Sequence, residues 1–298
     1  MKYKQLGTSD LKISEIGFGC MSLGTSHEDN VKLLHRALDQ GINFFDTADL
    51  YDKGANEETV GRAFAGMRDK VIIATKVGNQ WRPDGSGWDW NPSKRYILQA
   101  VEASLKRLQT DYIDLYQLHG GTIDDPIDET IEAFEQLKQE GKIRHYGISS
   151  IRPNVIREYV ERSNIASVML QYSLLDRRPE EEVLGLLQKQ GIGVLARGSL
   201  AQGLLAGKPA KAYLGYTLEE VEKAAQAVKT VAGAKRQTAE VALRYTLHHS
   251  AVSMAVLGIR TSEQLEEALQ AGKSAPLSAE EIKALQTVLP ANRYEQHR

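Results

Sequence analysis

Cysteine is almost absent: Cys20 is the only one among 298 residues. An internal disulfide and a multi-cysteine metal centre are therefore excluded, and a reducing, cytoplasmic setting fits best. An excess of either charge is absent too, with 37 Lys+Arg against 39 Asp+Glu for a formal net charge of −2. That balance gives no electrostatic case for nucleic acid or an anionic membrane surface as partner. No stretch approaches the roughly 18 apolar residues a bilayer span needs. Met1-Lys2-Tyr3-Lys4-Gln5 leads into mixed polar sequence without an apolar core, so no secretory leader is expected. Low-complexity tracts and linkers are missing as well, so residues 1–298 are expected to form one domain.

What is present is ordinary globular material, 42% hydrophobic and 26% charged, arranged with a recurring pattern. A short β-branched or aromatic run is followed by a longer amphipathic stretch, about eight times over. The runs begin at Ile16, Asn43, Val71, Tyr112, Ile143, Ser167, Ile192 and Met254. The helical patterns that follow are expected near 28–40, 57–65, 93–108, 127–140, 153–162, 180–189, 218–248 (one helix or two) and 262–271. Gly41, Gly141 and Gly191 stand where a helix stops before the next strand. Ser93 suits a helix N-cap. Short apolar strands fit a parallel sheet covered on both faces, and eight such units suit a closed (β/α)₈ TIM barrel. A doubly wound sheet is the rival, but its glycine fingerprint is incomplete in Gly17-Phe18-Gly19-Cys20-Met21-Ser22. Residues 3–5 and 11–14 flank Gly7-Thr8-Ser9-Asp10 and are expected to pair as an N-terminal β-hairpin plugging one barrel end.

Chemistry in such a barrel sits at the C-terminal strand ends. Asp46 closes the second strand, with Tyr51 in the loop after it; Lys76 closes the third and His119 the fourth. Together they suit carbonyl reduction. A hydride arriving at the carbonyl carbon leaves an alkoxide that needs a proton, and Tyr51 can give one. A tyrosine titrates near about 10; the Lys76 ammonium is expected to pull that towards neutrality, with Asp46 holding Lys76 charged. His119 can orient the substrate oxygen. Each residue alone has a plainer role, as a cap, a buried ion pair or a loop anchor.

These residues and their surroundings resemble the aldo-keto reductase family over nearly the whole chain. The resemblance is carried by Gly17-Phe18-Gly19-Cys20-Met21, by Asp46-Thr47-Ala48-Asp49-Leu50-Tyr51 with Gly54 and Glu57-Glu58, and by Ala74-Thr75-Lys76. Leu118-His119, Gly147-Ile148-Ser149 and Gly203-Leu204-Leu205 with Gly207-Lys208 continue it. Within the family the chain is most similar to the bacterial general-reductase branch. The resemblance implies NADPH-dependent reduction of a small aldehyde or ketone, with Tyr51 as proton donor, Lys76 and Asp46 as its activators and His119 as the orienting residue. It places Gly19, Met21 and Asp46 beside the nicotinamide ribose, and Ser149 and Gln171 at the carboxamide. Ser199, Leu200, Gly203 and Lys208 fall at the pyrophosphate; Gly258, Arg260, Gln264 and Glu267 fall at the adenosine end. Three positions depart from the family pattern. Ser150 stands in place of Asn, Arg197 in place of the tyrosine that stacks on the nicotinamide, and Ala268 in place of an adenine-binding Asn. Arg260 is expected to favour NADPH over NADH by holding the 2′-phosphate.

Trp81, Trp88 and Trp90 lie in a loop after Lys76 and are either an apolar substrate wall or packing that holds the loop. Cys20 reads as packing. His248-His249 cannot share a helix face, and Asp124-Asp125 with Asp128-Glu129 is an acidic helix start, so no metal is expected. Two other functions compete with the reductase. One is a Schiff-base lyase using Lys76, which an Asp46 partner disfavours. The other is a cofactor-binding sensor or accessory protein with little turnover.

Overall fold

The computed structural model describes all residues from Met1 to Arg298. Eight parallel strands close into a barrel in strict chain order: Ile16–Gly19, Phe44–Asp46, Ile72–Val77, Ile113–Leu118, Ile143–Ser149, Ser167–Gln171, Gly193–Arg197 and Val252–Gly258. This is the (β/α)₈ TIM barrel that the alternation of runs predicts. Helices follow the strands at His27–Asp39, Ala55–Phe64, Lys94–Leu108, Ile127–Gln139, Pro153–Arg162 and Val183–Lys189. The 218–248 pattern is two helices, Leu218–Ala232 and Thr238–His248, and Ser262–Lys273 follows the last strand. Ser93 caps its helix as expected, accepting from the Tyr96 amide.

Two elements go beyond the pattern of runs, although the first carries a readable capping box at Ser278 and Glu281. An eight-residue helix, Ala279–Gln286, follows the barrel. The tryptophan loop forms a short hairpin of Asn79–Trp81 with Trp88–Trp90, too brief for a periodicity to register.

The N-terminal hairpin, Tyr3–Gln5 paired with Lys12–Ser14, closes the floor. Its Leu6, Leu11 and Ile13 pack with Phe44, Ala74, Leu115, Met169, Leu195 and Met254 inside the barrel. Gly7 can only be glycine: its φ is +55°, and a Cβ would stand 2.6 Å from the Gly191 carbonyl oxygen. The larger apolar core lies between the outer strand faces and the helices.

Alternation along each strand then decides the site. Phe44 points inward, Phe45 outward and Asp46 inward; Ala74 points inward, Thr75 outward and Lys76 inward. The apolar lower layer of the barrel thus gives way, two residues on, to a charged upper layer.

Leu6 is fully buried, so Leu6→Ala should lower the unfolding free energy by about 2–5 kcal/mol in urea titration while leaving the far end of the barrel intact. A loss under about 1 kcal/mol would show that the hairpin covers the barrel without bracing it.

Candidate active site

At the C-terminal end of the barrel, Lys76 and Asp46 meet with almost no solvent exposure. Lys76 Nζ donates to Asp46 Oδ2 at 2.7 Å, to the Thr47 carbonyl at 2.8 Å and to the Tyr51 hydroxyl at 3.3 Å. The ammonium thus spends its three protons on three acceptors. Gln117 Nε2 donates to the other Asp46 oxygen at 3.4 Å. The His119 ring stands edge-on to Tyr51, centroids 5.8 Å apart. Its Nδ1 is buried without a partner in the chain.

The loop that presents Tyr51 is held from several sides. Asp52, Lys53 and Gly54 all take positive φ, turning the chain sharply into the helix Ala55–Phe64. A Cβ on Gly54 would stand 2.7 Å from Arg107 Cδ. Trp81 Nε1 donates to the Leu50 carbonyl at 3.2 Å. Behind the loop, the fully buried Glu57 accepts from Thr75 Oγ1 at 2.5 Å and Arg107 Nε at 2.6 Å. Next to it, burial and Glu57 push Asp49 up to about 8, so it carries a proton at neutrality.

Burial and charge set the other protonation states. Burial alone lowers the Lys76 ammonium, but Asp46 and Tyr51 outweigh it and raise it. A lysine held protonated this firmly is a poor Schiff-base nucleophile. Burial, followed by the Lys76 and Arg197 charges, drives His119 down to about 3, so its imidazole is neutral. Tyr51 departs from the sequence expectation. Burial raises its hydroxyl above the ordinary value; Lys76 and Arg197 offset only part of that. Sequence shows the ammonium neighbour but not the desolvation that opposes it.

Above these four residues opens a cleft of about 1010 Å³. Gly19, Met21, Ser149, Arg197 and Gly258 line it, as do Asp46, Tyr51, Lys76 and His119. A second cleft of about 450 Å³ shares Ser22, Gly198, Val256 and Gly258 with it. Ser199, Leu200, Gly203, Lys208, Gln264 and Glu267 line the second cleft, together with Ala268. The 199–208 loop turns through positive φ at Gly203, and the buried Ser199 hydroxyl has no partner.

A family model, the Aldo/keto reductase family, matches residues 15–290. The chain belongs to that family. Its members are oxidoreductases of carbonyl groups that use nicotinamide cofactors. The chain is 54% identical, over 100% of both sequences, to the uncharacterized oxidoreductase YqkF of Bacillus subtilis (strain 168). It superposes on the aldo-keto reductase AKR11C1 from Bacillus halodurans, in its holo form, with a TM-score of 0.95. The two are 53% identical, covering 100% of this chain and 99% of that one. It is also 35% identical, over 72% of each chain, to the NADH-specific methylglyoxal reductase of Escherichia coli (strain K12).

In this aldo/keto reductase, two of the residues expected at the cofactor lie just outside the cleft linings. Gln171 Oε1 accepts from Arg197 Nη1 at 2.9 Å, and its Nε2 donates to the Tyr213 hydroxyl at 3.0 Å. Arg260 is exposed at the rim, its Nε donating to the Ser22 carbonyl at 2.9 Å. None of the three tryptophans lines the cleft. Trp81 braces the Tyr51 loop, Trp90 Nε1 donates to Asp125 Oδ1 at 2.9 Å, and Trp88 is exposed. The outer wall comes instead from Ile151, Arg152, Leu214 and the segment Arg293–His297. That segment has neither periodicity nor motif to mark it. Gln117 was also missed, yet it was readable: Leu115, Gln117 and His119 alternate onto one face.

A His119 driven down to about 3 should show no NMR titration of its ring carbon protons from about pH 5 to 9, where a free imidazole titrates near about 6.5. Unfolded His119 would bind a proton below about 6.5 that the folded residue refuses, so its contribution to stability is present above that pH and is lost on acidification towards about 3. A His119 titration curve centred near about 6.5 would overturn the assignment.

Proposed function

We propose that this chain, working as one barrel domain over residues 1–298, is an NADPH-dependent reductase of small aldehydes or ketones. The carrying observation is the chain of contacts Asp46–Lys76–Tyr51, with Lys76 donating to the Tyr51 oxygen. That oxygen accepts from Lys76, so its own proton is free for a substrate in the cleft. The raised Tyr51 hydroxyl keeps this proton at neutral pH, as a donor requires.

The paired clefts suit a long dinucleotide. Lys208, the unpartnered Ser199 hydroxyl and the close turn at Gly203 fit an anionic middle. Apolar Ala239, Leu243, Ile259 and Ala268 fit a ring beyond it. When bound, the nicotinamide supplies a hydride to the carbonyl carbon. Tyr51 gives its proton to the carbonyl oxygen as charge grows there. Lys76 stabilises the phenolate left behind, and Asp46 holds Lys76 charged and in place. Neutral His119 offers a ring N–H to the same oxygen and orients it. Ser149 and the planar, exposed Arg197 guanidinium line the cleft and would hold the nicotinamide end of the cofactor. Cys20, wholly buried, suits the reducing cytoplasm in which we place the enzyme.

Arg260 is the residue we assign to the 2′-phosphate. It precedes the helix Ser262–Lys273, capped by Thr261, where free amides and the positive dipole end favour phosphate. One relative is named NADH-specific, so coenzyme choice is a point that Arg260 can test.

Tyr51→Phe keeps the ring and removes the proton. Carbonyl reduction should fall by about 10²–10⁴-fold in NADPH-oxidation assays, with NADPH affinity by fluorescence nearly unchanged. Turnover close to the parent would remove Tyr51 from the mechanism.

Arg260→Ala should raise KM for NADPH by about tenfold or more, since a hydrogen bond to a charged group contributes about 1.5–3 kcal/mol, while NADH kinetics barely move. Equal weakening for both coenzymes would show that Arg260 shapes the rim without reading the phosphate.

A further inference from the structure

The cleft over Tyr51 carries more positive charge than the reaction uses. Asp46 and Lys76 balance each other on its floor. Along its walls stand four arginines, Arg152, Arg178, Arg197 and Arg293, against one further carboxylate, Glu295. Arg178 is already matched. Its Nε and Nη2 donate to the two oxygens of the fully buried Asp176 at 2.7 and 2.8 Å, and its guanidinium lies 5.0 Å over the Tyr294 ring.

The other three are not matched. Arg152 spends its side-chain hydrogen bond on the Gly121 carbonyl, two residues beyond His119, and its own amide is fixed by the Ser150 hydroxyl at 3.2 Å. Arg197 spends its bond on the neutral Gln171 side chain. Arg293 stands exposed at the cleft mouth. Three like charges facing one space repel one another, and Glu295 offsets at most one of them. The cofactor phosphates do not account for the surplus either. Lys208 and Ser199 line the second cleft, whereas Arg152 and Arg293 line only the first.

We infer that the cleft selects carbonyl substrates bearing an oxyanion, a carboxylate or phosphate, which Arg152 and Arg293 hold while the carbonyl lies against Tyr51 and His119. Guanidinium forks suit either oxyanion. The inference rests on the reductase reading of the same site and deepens it to a substrate class. Ser150, where the resemblance implies Asn, fixes the Arg152 backbone amide, and the Gly121 carbonyl holds its side chain.

The test compares 4-oxobutanoate with butanal, and glyceraldehyde 3-phosphate with glyceraldehyde, at saturating NADPH and low salt. At least one anionic substrate should exceed its neutral partner in kcat/KM by about tenfold or more, the size of a charged hydrogen bond, mostly through KM. The favoured arm tells carboxylate from phosphate. Added salt should shrink the ratio. The double variant Arg152→Leu, Arg293→Leu should bring it close to one, and the corresponding double Lys variant should retain part of it. Parity between anionic and neutral substrates in the parent protein, or a ratio that survives the Leu variant, would overturn the inference. Calorimetric titration with succinate needs no turnover. Binding that weakens about tenfold in the Leu variant supports the anion site, and equal binding refutes it. Failure to turn over any of the four aldehydes would instead sink the reductase reading, with the succinate result still deciding the anion site.

Discussion

The ion pair between Lys76 and Asp46 is the constraint around which the rest of the site is arranged. Taking both charges out of water costs several kcal/mol each, and a buried pair persists only when its remaining hydrogen-bonding capacity is met. Here the Thr47 carbonyl, the Tyr51 hydroxyl and the Gln117 amide meet it. The same contacts that satisfy the pair also place the Tyr51 oxygen. Stability and geometry are therefore coupled: a change that unsettles the pair loosens the residue it positions. The arrangement is expensive for the fold, and it sits at the strand end where a barrel concentrates its chemistry.

A second buried layer supports the first from outside the barrel. Thr75 and Lys76 are neighbours in sequence but face opposite ways. Lys76 holds Tyr51, while Thr75 reaches Glu57 on the helix that follows Tyr51. Arg107, from the next helix, completes the Glu57 contacts. The Tyr51 loop is thus tied at both ends to one strand. The positive φ values from Asp52 to Gly54 are the local strain that this double attachment sustains.

The barrel was legible because its information is local. Eight apolar runs, each followed by a helix-length amphipathic pattern, leave few alternatives, and the glycine stops and the Ser93 cap mark several boundaries. The gathering of Asp46, Tyr51, Lys76 and His119 was legible because they close or follow three adjacent strands. Other features depend on long-range packing. The direction in which Tyr51 shifts depends on desolvation by neighbours far apart in sequence. Trp81, Trp88 and Trp90 look like a substrate wall from position alone, yet ring orientation turns Trp81 and Trp90 towards Leu50 and Asp125. The segment Arg293–His297 reaches the cleft only because the final turns of chain return across the barrel mouth. Its side chains carry no pattern that announces this.

The opposite facing of Thr75 and Lys76 also bears on how such a chain can change length. A strand has a parity: inserting or deleting one residue within Ile72–Lys76 would exchange the two side chains between faces. The ammonium would then stand against the buried Glu57–Arg107 pair outside the barrel, and the hydroxyl would take its place beside Asp46 and Tyr51. Both layers would fail in one step. A deletion of two residues would restore the facing but shorten the strand by one whole pleat repeat, pulling Lys76 below Asp46. Drift in length is accordingly tolerable in the loops around the mouth and intolerable in the few residues that carry the buried ion pair and the Thr75–Glu57 contact.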